Sequence, residues 1–172
     1  MANPEWENYC PSEETYDSAE DTYKHKTEVS KLIYIVVEEL LSRSASHDNS
    51  KLKDPEKKIF DIYTPKLKNT TYGSDEYNQY LKEMSVALNY NYHYSHNTHH
   101  PEGFKDGING MSLLDILEML LDWISASKRH ADGSIAKSIE INQKRFSYSD
   151  ELKQILINTV GDLGLMDNPL VK

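Results

Sequence analysis

Three groups of residues in this chain have types and spacings suited to chemistry. His47-Asp48 is followed at once by Ser50-Lys51-Leu52. A second group, His93-Tyr94-Ser95-His96-Asn97-Thr98-His99-His100-Pro101-Glu102, holds four of the seven histidines. The third, Asp115, Glu118 and Asp122, interrupts an otherwise apolar run. Its spacings of three, four and seven put all three carboxylates on one face of a helix. Acids on a core helix are costly unless a cation or good donors meet them. Imidazole and carboxylate together suit a borderline divalent ion: Mn, Fe, Co, Ni or Zn. The single cysteine, Cys10, offers no competing thiolate pair. Such an ion lowers the pKa of a bound water toward neutrality, which would create a hydroxide nucleophile.

The elements that must position these groups read as helices. Val29, Leu32, Ile33, Val36, Val37, Leu40 and Leu41 repeat at three-and-four spacing, a clean amphipathic signal. His25 lies four residues before Val29 and shares the stripe expected to be buried. Residues 42–46 break the pattern. Asp54-Pro55-Glu56 predicts a helix start that ends before Pro65, and Gly73-Ser74-Asp75-Glu76 predicts another start. Residues 101–110 hold three glycines and a proline, hence a loop. Ser112 caps a helix apolar almost all round, expected at the centre of the domain. Asp132-Gly133 turns the chain, and helices over about 135–146 and 150–163 finish it. Strand signals are weak, so the expected class is all-α with about six helices.

Composition bounds the partners. The chain has 172 residues and a net charge of −9, which one domain with a real core accommodates. Residues 1–22 carry seven acids and no Lys or Arg, so that segment holds −7 of the −9. We read residues 1–21 as an acidic extended arm, packing through Trp6 and Tyr9, and residues 22–172 as the helical domain. The acidity argues against duplex nucleic acid and anionic membranes as partners. No segment approaches a membrane span, and residues 1–20 lack the apolar core of a secretory signal. The expected location is the cytoplasm.

These residues carry a resemblance. His25, then His47-Asp48, then Asp122 late in a helix, resemble the ordered ligand set of the HD-domain metal-dependent phosphohydrolases, an all-α superfamily. His-Asp-x-Ser-Lys-Leu is similar to its His-Asp-x-Gly-Lys, with Ser50 in place of glycine. His99-His100-Pro101-Glu102 resembles the His-His-Glu segment of the HD-GYP branch, with Pro101 inserted. Residues 22–159 as a whole resemble a small family of phages and bacteria. That family carries His-Asp-x-Ser-Lys-Leu, Asn-x-His-His-Pro-Glu and Glu-Met-x-x-Asp-Trp, and it ends near Asn142-Gln143-Lys144-Arg145-Phe146.

The resemblance implies a compact HD-like helical bundle in a bacterium or a phage-infected bacterium. It implies that His25, His47, Asp48 and Asp122 hold one ion. Asp48 would bridge to a second, held with His99 and His100 and joined by His93 or His96. The cofactor would be one or two divalent ions, with Mg added to the metals above. Lys51 would contact phosphate or the nucleophilic water. Apart from the resemblance, Asp115 and Glu118 would accept hydrogen bonds from ligating histidines or bind substrate, and Arg129 and Arg145 would lie at the surface or in salt bridges, or else clamp phosphate.

Each residue has a plainer alternative. His25 would be a core histidine, His47-Asp48 a helix cap, Asp122 a partner of Arg129 or Lys128, and Lys51 a solvated lysine. Tyr90, Tyr92 and Tyr94 flank the histidines, where one would stack on a base. The expected function is a metal-dependent phosphohydrolase acting on a nucleotide or similar small phosphate ester. The alternatives are a cyclic nucleotide phosphodiesterase of the binuclear type, a non-catalytic metal-stabilised binding module, and a structural helical protein using its acidic arm. A homo-oligomer is compatible with all of them.

Overall fold

Serine decides where several helices of this chain begin. Ser74, Ser112, Ser134 and Ser149 each precede a helix with extended backbone and accept a hydrogen bond from the amide three residues on. The computed structural model describes residues 16–71, 74–88, 92–129 and 133–166. Among them are seven α-helices and no strand: α1 Ala19–Ser46, α2 Glu56–Lys68, α3 Asp75–Ala87, α4 Tyr92–His96, α5 Leu113–Ser127, α6 Ile135–Phe146 and α7 Asp150–Asp162. None is long and apolar enough to cross a membrane. The expectations placed on Trp6, Tyr9, Tyr90 and Asp132 lie outside the described residues.

The chain divides into two units, residues 1–42 and 43–172. The described part of the first is one helix, most of α1. Its stripe was expected to be buried, and none of its residues is. Leu32 is 56% and Ile33 56% exposed, and His25 is exposed with them. An apolar stripe is buried only against a facing element, and residues 16–42 contain no second one. Residues 42–46, where the apolar pattern breaks, remain helical. Ser46 Oγ donates to the Arg43 carbonyl at 3.3 Å, and the His47 amide continues the ladder to the same carbonyl at 2.7 Å. The arm boundary read at residue 21 falls inside the first turn of α1.

In the second unit α5 is the central helix. Met119, Leu120 and Ile124 pack with Ile135 and Ile139 of α6, Leu156 and Val160 of α7, and Ile108 and Tyr148. The Tyr148 hydroxyl donates to the Ile139 carbonyl at 2.6 Å, so this ring is buried without an orphaned oxygen. The helix α2 packs on α3 and on a 3₁₀ turn over Asn49–Leu52. It runs through Pro65, where the sequence predicted its end. Proline removes one ladder donor, but the Asn69 amide still reaches the Pro65 and Lys66 carbonyls at 3.2 Å each and closes the last turn.

The segment after α4 folds as two 3₁₀ turns, Pro101–Gly103 and Gly107–Gly110. Gly103 lies so close to α4 that a Cβ there would stand 2.3 Å from the Tyr94 carbonyl oxygen. Leu120 is 1% exposed and Leu113, on the same helix, is 75% exposed. Leu120→Ala is therefore expected to cost about 2–5 kcal/mol in urea unfolding, and Leu113→Ala under about 0.5 kcal/mol.

Candidate metal centre

Asp48 is held in a conformation few residues tolerate. Its backbone is left-handed, φ 57° and ψ 14°, a region that aspartate enters more readily than most residues. This turn ends the run of α1 and starts the 3₁₀ turn, closed by the Lys51 amide on the Asp48 carbonyl at 2.9 Å. His47 and Asp48 thereby leave the helix side by side. The loop after α4 brings His99 and His100, α4 itself brings His93, and α5 brings Glu118 and Asp122.

The imidazole nitrogens that face Asp48 stand beyond hydrogen-bond distance of its oxygens. His99 Nε2 stands 3.6 Å and His93 Nε2 3.7 Å from Asp48 Oδ1. His47 Nε2 stands 3.6 Å from Asp48 Oδ2 and 3.7 Å from Asp122 Oδ1. Two ligand atoms about 2.1 Å from one ion stand about 3.0–3.6 Å apart for angles of 90–120°. Asp48 Oδ1 and His99 Nε2 are buried without any hydrogen-bond partner, which native proteins rarely leave unexplained. Two sets of donor atoms gather within 4.8 Å: His47, Asp48 and His99, and Asp48, His93 and His100. Orphaned atoms, spacing and a nitrogen–oxygen donor set all fit a borderline divalent ion.

Carboxylates behind the rings fix which nitrogen faces inward. Glu118 Oε1 accepts from His47 Nδ1 at 2.8 Å and stands 3.3 Å from His99 Nδ1. Glu56 Oε2 accepts from His93 Nδ1 at 2.9 Å. A proton held at Nδ1 leaves Nε2 with its lone pair toward Asp48, the state in which imidazole binds a metal. Glu56 is 0% exposed and also accepts from Ser50 Oγ at 3.0 Å. Asn97 Nδ2 donates to Ser50 Oγ and to the His93 carbonyl, both at 2.8 Å. His93 Nε2 and His100 Nε2 approach to 2.9 Å.

Electrostatics favour the same protonation. Burial, then the neighbouring His99 and His93, pushes His100 down to about 2. Burial also lowers His93, aided by the charge of Lys51, and lowers His99, aided by His47. Burial alone would raise the Asp48 carboxyl, but Lys51, with Nζ 2.5 Å from Oδ2, outweighs it and holds the group below its ordinary value. Lys51 Nζ also lies 5.0 Å from the centre of the Phe60 ring.

The other expected site residues fall elsewhere. Asp115, unlike Glu118, meets no imidazole. It accepts from the Ser112 amide and hydroxyl in a capping box, and Arg43 Nη1 donates to it at 2.7 Å. These donors offset burial and hold it at about 2. Arg145 donates to Glu102 Oε1 at 2.6 Å. Arg129 is exposed beyond the end of α5. His96 faces outward, with Nδ1 donating to the Tyr92 carbonyl at 2.7 Å, and neither donor set includes it. His25 belongs to the first unit. Glu56, Arg43 and Asn97 were missed by the sequence reading. Glu56 looked like a first-turn helix acid, and no local spacing connects it to His93.

The helices and this cluster define an all-α protein with a histidine–carboxylate centre. The chain belongs to the family described as "Family of unknown function (DUF5662)", whose model matches residues 14–162. No curated protein and no solved structure matches it.

The lowered histidines set an acid limit. Each takes up its proton more readily in the unfolded chain, so the folded state is favoured above about pH 6.5 and loses stability as pH falls below it. Asp48 and Asp115 extend that loss below about pH 4. The chelator-treated protein is expected to lose up to about 1.4 kcal/mol per pH unit for each such histidine. A urea midpoint that stays constant from pH 7.5 to 5.5 contradicts three neutral buried imidazoles.

Proposed function

We propose that this chain is a metal-dependent phosphohydrolase of the HD-domain kind, acting on a nucleotide or similar small phosphate ester. One observation supports it above the others. A single half-buried carboxylate, Asp48, stands between two histidine pairs, one of whose nitrogens is orphaned. His47, Asp48, His99 and Asp122 would hold one ion. Asp48, His93 and His100 would hold a second, with three protein donors and therefore room for water or substrate, as catalytic sites require. In this reading the donors are complete within residues 43–172, and His25 is not needed.

A divalent ion bound there supplies Lewis acidity toward phosphate oxygens and acidifies a bound water. The chain's own residues prepare for it. Glu118 and Glu56 keep protons on Nδ1 of their histidines and so aim Nε2 lone pairs inward. Lys51 neutralises Asp48 and, once a cation takes over that role, is close enough to turn to a phosphate oxygen. Phe60 beneath the lysine keeps that side of the site apolar. The acidic balance of the chain favours a small substrate over a nucleic-acid duplex.

The resemblance to HD-domain enzymes supports phosphoryl chemistry, and monoesters, triphosphates and cyclic diesters are all within it. A non-catalytic binding module is the competing reading. Product analysis of nucleotide monoesters, triphosphates and cyclic diesters incubated with Mn, Co, Mg, Ni or Zn separates the two. Turnover is expected with at least one ion, falling at least about a thousandfold in Asp48→Ala with helicity retained by circular dichroism. Absence of turnover on all three ester classes by metal-loaded protein sinks the enzyme. Turnover retained by Asp48→Ala sinks the site. His25→Ala is expected to leave metal content unchanged.

A further inference from the structure

Two hydrogen-bond networks stand behind the histidines, one leading to His99 and the other to His93, whose Nε2 atoms stand 3.6 and 3.7 Å from Asp48 Oδ1. The first begins at the cap of α5. Ser112 fixes Asp115 through its amide at 2.8 Å and its hydroxyl at 2.7 Å. Asp115 Oδ1 accepts from Arg43 Nη1 at 2.7 Å, and the same nitrogen reaches Glu118 Oε2 at 3.3 Å and Thr98 Oγ1 at 3.4 Å. The other oxygen of Glu118 serves His47 and His99. Arg43 thus touches both the carboxylate behind these rings and the residue before His99. The second network is Asn97, Ser50, Glu56 and His93, while the contacts of Arg43 to Glu118 and Thr98 lead to His47 and His99.

We propose that Arg43 is a positioning residue for the ion position built on His47 and His99, and not for the one built on His93 and His100. The proposal rests on the metal-centre reading. A glutamate that must aim two imidazoles at once needs its second oxygen pinned, or it rotates about its last bond and follows one ring only. One guanidinium nitrogen, Nη1, holds Asp115 and Glu118 together, and the delocalised plane of the group fixes the direction of its hydrogens. A lysine ammonium supplies the charge from a flexible stem without that fixed plane. Asp115 lies on the same face as Glu118 yet meets no histidine, and its role in this arrangement is to anchor the arginine.

The test is Zn binding to the whole chain. Stoichiometry is read by elemental analysis after equilibrium dialysis, and histidine ring nitrogens are followed by NMR. Arg43→Met is expected to weaken one of two ion positions about ten- to a hundredfold, the range typical for groups that orient ligands. The His47 and His99 signals should lose their Zn response while those of His93 and His100 keep it. Arg43→Lys should recover part of the loss, and Glu56→Gln should give the opposite pattern. Asp115→Asn, which loosens the arginine without removing it, should repeat the Arg43→Met pattern and serves if that variant does not fold. Equal weakening of both positions, or no change at either, overturns the positioning role while leaving the metal reading intact. Failure of the wild-type chain to bind Zn, Mn or Co overturns both.

Discussion

A carboxylate flanked by imidazoles and half withdrawn from water must have its charge met. Asp48 is that group, and much of the second unit is arranged around the requirement. Its backbone adopts a left-handed turn, Lys51 folds back onto it, and four histidines converge on its two oxygens. Burial keeps His93, His99 and His100 neutral, and Glu118 and Glu56 aim His47, His99 and His93. Removing any one partner would leave a charge or a lone pair in a poorly solvated place. The cluster is for that reason a single electrostatic unit rather than a set of independent contacts.

The helix α5 couples this unit to the hydrophobic core. One side of it carries Met119, Leu120 and Ile124 into the packing with α6 and α7, and another side carries Asp115, Glu118 and Asp122. Because the two faces share one rigid backbone, the core fixes the height and rotation of the acids. Arg145, from α6, holds Glu102 in the histidine loop and ties that loop to the same core. Gly103 lets the loop lie directly on the backbone of α4, so His93 and His100 come within 2.9 Å of each other. Precision at the centre is borrowed from packing some distance away.

The sequence was legible where function and local pattern coincide. The pair His47-Asp48, the histidines 93, 99 and 100, and the acids 118 and 122 had types suited to a cation, and the structure brings them together across long stretches of sequence. The four serine caps mark helix starts by a rule that needs only the next three residues. Reading failed where a residue's role is assigned by a distant partner. Glu56 lies 37 residues from His93, and Arg43 lies 72 from Asp115. The charge of Arg145 leaves a surface salt bridge and a phosphate clamp both open, and a carboxylate 43 residues away in sequence engages it.

The sequence by itself determined the all-α class, most helix boundaries and the residue types able to hold a cation, because periodicity, capping and donor chemistry are local properties. The stripe of α1 shows the limit of such reading. Its pattern announces an apolar face, but periodicity does not say whether another element will lie against it, and in the described part of the first unit none does. Only the tertiary structure decided that, and only it sorted Glu118 from Asp115, three residues apart on one helix. Long-range packing put histidines before the first and an arginine before the second, and it is the partner that sets what a carboxylate does.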